Sequence, residues 1–165
     1  MKDVMRKLAV SGLLALAAGA ASAEVSVNFI EPGRFTDLPF TEWDRKEVLK
    51  ELTEHFTKLG ARLPPGQNLR IDVKDVDLAG RMYPSRRGQD LRVIRDGAEW
   101  PRIDLHYAIE SNGQVVRSGD AQLRDMAFMQ HIGRYSDGDS LRYEKQMIDE
   151  WFYSTIAPRE RAARR

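Results

Sequence analysis

The sequence predicts an α+β fold, a two-layer sandwich in which two helices cover one face of a mainly antiparallel sheet of about four to five strands. Three observations carry that class. Residues 69–77 and 102–110 alternate apolar and polar side chains. Residues 41–59 and 140–157 repeat apolar side chains at helical spacing. The resulting order, β-α-β-(β)-β-β-α, lets both helices pack on the same side of the sheet.

The first strand is expected over residues 25–30, where Val25, Val27 and Phe29 share a face. Glu31-Pro32-Gly33 breaks it. Thr41 suits a helix N-cap, with Asp44 three residues on. Val48, Leu49, Leu52, Phe56 and Leu59 then form an apolar stripe. Gly60 is the expected C-terminal cap, and Pro64-Pro65-Gly66 forbids continuation. In residues 69–77 the apolar phase slips at Lys74-Asp75, which predicts a bulge. Residues 79–90 have no period and are expected to be a loop. Leu91 to Ile94 suits a short strand.

Ile103, Leu105, Tyr107 and Ile109 give the clearest alternation in the chain. Asn112-Gly113 predicts a tight hairpin, with residues 114–123 returning as the partner strand. Ser140 is the expected cap of a second helix, whose stripe is Tyr143, Met147, Ile148, Trp151, Phe152 and Thr155. Pro158 ends it. Trp43, Trp100 and Trp151 are all expected to be core.

The N-terminus reads as a cleavable export signal. Lys2, Arg6 and Lys7 precede an apolar or small run from Leu8 to Ala21. Ala21 and Ala23 fit the small pockets of a signal peptidase, which would cut before Glu24. The apolar core is shorter than the roughly 20 residues of a membrane span. The expected product is a single domain over residues 24–158, followed by a basic tail, 159–165. It is expected in the periplasm or secreted.

Removing Lys2, Asp3, Arg6 and Lys7 takes Lys+Arg from 26 to 23 and Asp+Glu from 25 to 24. The net charge moves from +1 to −1. The basic pI is therefore no argument for a nucleic-acid partner. The chain has no cysteine, which excludes a lipid anchor, disulfides and thiol chemistry.

Two charged stretches are the candidate site. Asp72, Asp75 and Asp77 form an acidic run, with Asp75 and Asp77 on one strand face. It lacks the continuation of a calcium loop, and pairing with arginines or capping the following turn is the simpler expectation. Arg81, Arg86, Arg87, Arg92 and Arg95 face only Asp90 in sequence, a local net of +4. Guanidinium groups bind phosphate and carboxylate, so this loop is a candidate for an anionic envelope ligand or an acidic partner protein. The acidic segment Asp137, Asp139, Glu144, Asp149 and Glu150 could balance it instead. His55, His106 and His131 have no zinc-ligand spacing. No nucleophile elbow or phosphate-binding glycine loop occurs. No cofactor, metal or catalytic residue is expected.

Several phrases together resemble a family of small secreted proteobacterial proteins catalogued only as a domain of unknown function. They are Phe35-Thr36-Asp37-Leu38, the run from Leu63 through Gln67 to Leu69, and Asp75 to Gly80. Trp100-Pro101 with Tyr107, Ser118-Gly119, Tyr143-Glu144-Lys145 and Trp151-Phe152 complete the set. The resemblance implies export and one domain over residues 25–157, and no activity. The expected function is a non-catalytic binding or interaction module of the cell envelope. The alternative is an envelope-polymer hydrolase using Asp75 or Asp77. A structural or stress-protective role is indistinguishable from the first by sequence.

Overall fold

The computed structural model of the chain describes residues 23–84, 91–95 and 99–157. Strand β1 (Val25–Phe29) leads through a single 3-10 turn into helix α1 (Glu42–Gly60). Strand β2 (Gln67–Asp77) follows, then the short β3 (Arg81–Tyr83) and β4 (Leu91–Val93). The hairpin of β5 (Arg102–Ser111) and β6 (Gln114–Arg124) leads to helix α2 (Arg142–Trp151). A wider π turn, Phe152–Ile156, extends α2. The fold is α+β, with two helices and a mainly antiparallel sheet.

The four-stranded sheet has the order β1-β2-β5-β6. β1 pairs with β2 in parallel, Val25 opposite Leu69 and Phe29 opposite Val73. A helix between two neighbouring strands lets the chain return in the same direction. The other pairings are antiparallel. The predicted hairpin forms at Asn112 and Gly113, whose φ angles of 52° and 76° are the two positive values that this turn requires. The predicted bulge also forms, between Val73 and Asp75. It returns Val76 to the core and leaves Asp72, Asp75 and Asp77 together on the face away from the helices.

One apolar cluster holds the layers together. β2 gives it Leu69, Ile71, Val73 and Val76, and β5 gives Ile103, Leu105, Tyr107 and Ile109. Leu52, Phe56 and Leu59 come from α1, and Met147, Ile148, Trp151 and Phe152 from the α2 segment. The Trp151 ring meets Phe56 and Tyr107 edge-on, with centroids 6.3 and 5.7 Å away. Such tilted contacts suit the aromatic quadrupole. β6 buries Leu123 but exposes Val115 and Val116, as befits an edge strand.

Four expectations need correction. Thr41 caps α1 as predicted, its hydroxyl accepting from the Asp44 N–H at 3.2 Å, but Gly60 is not a left-handed cap. It lies inside the helix, where a Cβ would sit 2.2 Å from Val25 Cγ2. Its smallness lets α1 approach β1. Ser140 does not cap α2. Asp139 accepts from the Leu141 N–H at 2.9 Å instead. Residues 81–83 of the expected loop pair with β4 in a second, two-stranded sheet, too short a segment to show a period. Trp43 is 70% exposed, not core. It lies nine residues from the fully buried Leu52, which at 3.6 residues per turn is the opposite side of α1. The expected signal up to Ser22, Arg86, Arg87, Pro158 and the tail 159–165 lie outside the described residues.

Candidate functional site

The sequence-selected charges are bound into the architecture in different ways. Asp75 accepts hydrogen bonds from the Thr36 N–H at 2.7 Å and the Thr36 hydroxyl at 2.6 Å. Asp77 pairs with Arg102 at 2.9 Å. Burial pushes the Asp77 carboxyl above its usual range although Arg102 acts the other way. Burial also raises Asp37, which bridges to Asp77 and accepts from the Met82 N–H. Asp72 accepts from the Asn28 side chain at 2.9 Å. Arg81 meets Glu99 at 3.5 Å.

Arg92 turns inward. Its guanidinium donates to the Ala79 carbonyl at 2.6 Å, to the Ser140 carbonyl, and to Glu144, which is fully buried. The same Glu144 oxygen accepts from the Ala79 N–H at 2.7 Å. This pair fastens β4 and the end of β2 to α2. Gly80 permits the arrangement, since its φ is 79° and a Cβ would lie 2.4 Å from the Val93 carbonyl oxygen. Asp75, Asp77, Arg81 and Arg92 therefore do not line one common cleft.

A different cluster does. The C-terminal end of α1 and the α2 segment enclose a cleft of about 440 Å³ with residues 134–135. His55, Lys58 and Arg62 line it from the α1 side, Arg134 and Tyr135 from the loop, and Asp149 and Tyr153 from the α2 segment. Lys58, Arg62 and Arg134 are exposed. Neither Lys58 nor Arg62 has an ion pair among the described residues. Arg62 lies over the Tyr153 ring, 5.9 Å from its centroid. Arg134 comes only within 4.0 Å of Asp149.

Among the described residues, Asp149 is the cleft's one carboxylate, and it is occupied. His55 Nε2 lies 3.0 Å from one oxygen, and the Tyr135 hydroxyl donates to the other at 2.9 Å. Burial pushes the Asp149 carboxyl up, but these hydrogen bonds and the nearby cations outweigh it and hold it below the usual range. Burial and the Asp149 charge push the Tyr135 hydroxyl well upward, so it stays protonated as a donor. His55 Nε2 also faces the Lys145 carbonyl at 3.1 Å. Two oxygen acceptors at one nitrogen place a proton on Nε2, which donates to them. Among the described residues, no serine, threonine or cysteine lines the cleft. With Asp149 satisfied, the three cations leave the cleft electropositive. Such a cleft suits carboxylate or phosphate.

Residues 23–154 match the family described as "Protein of unknown function (DUF3016)". The chain belongs to this family. No curated protein and no solved structure matches it. Every described residue lining the cleft falls within the DUF3016 match.

Sequence reasoning missed these residues for a physical reason. Lys58 lies in the last turn of α1 and Arg62 in the turn just beyond it, and Asp149 and Tyr153 are four apart on the α2 segment. Each pair is close in sequence. That the two pairs meet depends on the packing of both helices on one sheet.

Proposed function

We propose that this DUF3016 protein is an exported, non-catalytic binding module of the cell envelope, and that its ligand is anionic. The observation that carries this is the set of exposed cations, Lys58, Arg62 and Arg134, which outnumber the one carboxylate among the described lining residues, Asp149, itself hydrogen-bonded by His55 and Tyr135. A phosphorylated or carboxylated envelope sugar, or an acidic segment of an envelope protein, has the matching chemistry. Export rests on the Lys2–Ala23 pattern. It gains support from β1 and the family match, which both start beside the expected cut before Glu24.

Binding is tested by thermal unfolding and calorimetry with glucosamine 6-phosphate, glucuronate and an acidic decapeptide, against uncharged glucosamine analogues and a neutral decapeptide. At least one anion is expected to stabilise the protein, and a Lys58→Ala/Arg62→Ala variant is expected to lose that response. An equal response in the variant, or none to any anion, would overturn the ligand class. Export is tested by fractionating cells and weighing the mature chain. A product starting at Glu24 outside the cytoplasm is expected. An uncut chain in the cytoplasm would refute the localisation.

A further inference from the structure

Asp125, His131 and Glu150 form a second polar cluster, and none of them lines the electropositive cleft. Asp125 directly follows β6 and is buried. Its Oδ1 accepts from the Ala127 N–H at 3.0 Å and lies 3.1 Å from His131 Nε2. Glu150, in the last turn of α2, reaches the same place. One ligand atom from each residue lies within 4.8 Å of the other two. Neither carboxylate has a lysine or arginine partner within ion-pair distance among the described residues.

We propose that these three side chains bind a divalent first-row metal ion, zinc in preference to magnesium or calcium. One imidazole nitrogen with two carboxylate oxygens is a donor set that zinc accepts, whereas magnesium and calcium prefer oxygen alone. Zinc bonds of about 2.0–2.2 Å at tetrahedral angles set donor atoms about 3.3–3.6 Å apart. The Asp125–His131 separation is already close to that edge. Glu150 is exposed and has the side-chain torsions to bring its oxygen in by the remaining ångström or so. The Ala127 N–H fixes the Asp125 carboxylate, as a supporting hydrogen bond commonly does for a metal ligand. The exposure of His131 and Glu150 leaves a side open for water to complete the shell. The bound ion would staple the segment after β6, which goes on to supply Arg134 and Tyr135 to the cleft, onto α2.

The test uses untagged, chelator-treated protein titrated with zinc chloride by calorimetry, with magnesium and calcium chlorides as comparators. One zinc per chain and a thermal stabilisation specific to zinc are expected. Cobalt(II) chloride should give the visible absorption of a low-coordinate nitrogen–oxygen site. His131→Ala and Glu150→Gln should each weaken zinc at least about tenfold, since even the loss of a supporting partner commonly costs that much. Both positions are exposed, so circular dichroism should show the fold unchanged. His106→Ala, which removes the histidine beside Asp120, should leave zinc binding intact. Lys58→Ala/Arg62→Ala should leave it intact too, which separates this site from the cleft. Absence of stoichiometric zinc, or equal affinity in His131→Ala and Glu150→Gln, would overturn the proposal.

Discussion

Arg92 and Arg62 both reach the α2 segment, and the fold uses them in opposite ways. Arg92 is drawn into the interior, where Glu144, Ala79 and Ser140 satisfy its guanidinium. Arg62 stays exposed over the Tyr153 ring and has no carboxylate partner among the described residues. A paired, desolvated charge is committed to architecture, because separating it would strand its partner in the interior. An exposed cation beside a satisfied carboxylate keeps its charge available. The neighbouring network on α1 and α2 is of the first kind. Lys145 binds Glu51 at 3.0 Å and Asp139 at 2.8 Å, tying the two helices and the start of α2 together.

The contrast is broken most sharply at Glu144. Glu144→Ala should cost about 3–5 kcal/mol in urea unfolding, since it strands Arg92 and the Ala79 N–H together. A cost within about 0.5 kcal/mol, typical of surface positions, would show that Arg92 is not structural. Gly80→Ala comes next. Crowding against the Val93 carbonyl costs about 1–3 kcal/mol, with left-handed strain added. Calorimetric melting should show it, and a neutral result would refute the close approach.

Asp149→Asn should cost about 1.5–3 kcal/mol at neutral pH, the worth of hydrogen bonds to a charged group. The pH dependence follows from the direction of its shift. The Asp149 carboxyl is depressed in the folded protein. Its contribution is therefore full above the unfolded value of about 3.9 and is lost as pH falls through the folded value. Asp37 and Asp77, both raised, act in the opposite sense. Their contribution is full below about 3.9 and is lost as pH rises through their folded values. Asp149→Asn should flatten the acid limb of stability against pH, and Asp77→Asn should not. A wild-type acid limb in the Asp149 variant would contradict the hydrogen-bonded cluster.

The smallest effects on stability belong to the cleft. Lys58→Ala, Arg62→Ala and Trp43→Ala should each change unfolding free energy by within about 0.5 kcal/mol. Only the first two should reduce binding of an anion. A large loss for Trp43→Ala would mean that this exposed ring is packed in solution.

The residues themselves show how much was legible. Thr41 and Asp44, the bulge after Val73, and Asn112-Gly113 were readable because each acts within a few residues. The stripe through Leu52, Phe56 and Leu59 was readable because burial imposes the helical period. β3 was not, because three residues show no period. Trp43 was misplaced because residue type alone does not say which side of a helix a ring occupies. His55 looked isolated because its partner Asp149 lies on the other helix.

Local chemistry in the sequence determined β1, β2, β4, β5 and β6, both helices, the β5–β6 turn and the α+β class, since propensity and periodicity are settled between near neighbours. The tertiary structure alone decided that β1 runs parallel to β2, that Arg92 faces inward, and that Lys58, Arg62 and Arg134 share one cleft. Those outcomes depend on which distant surfaces are pressed together, and on the cost of burying a charge without its partner.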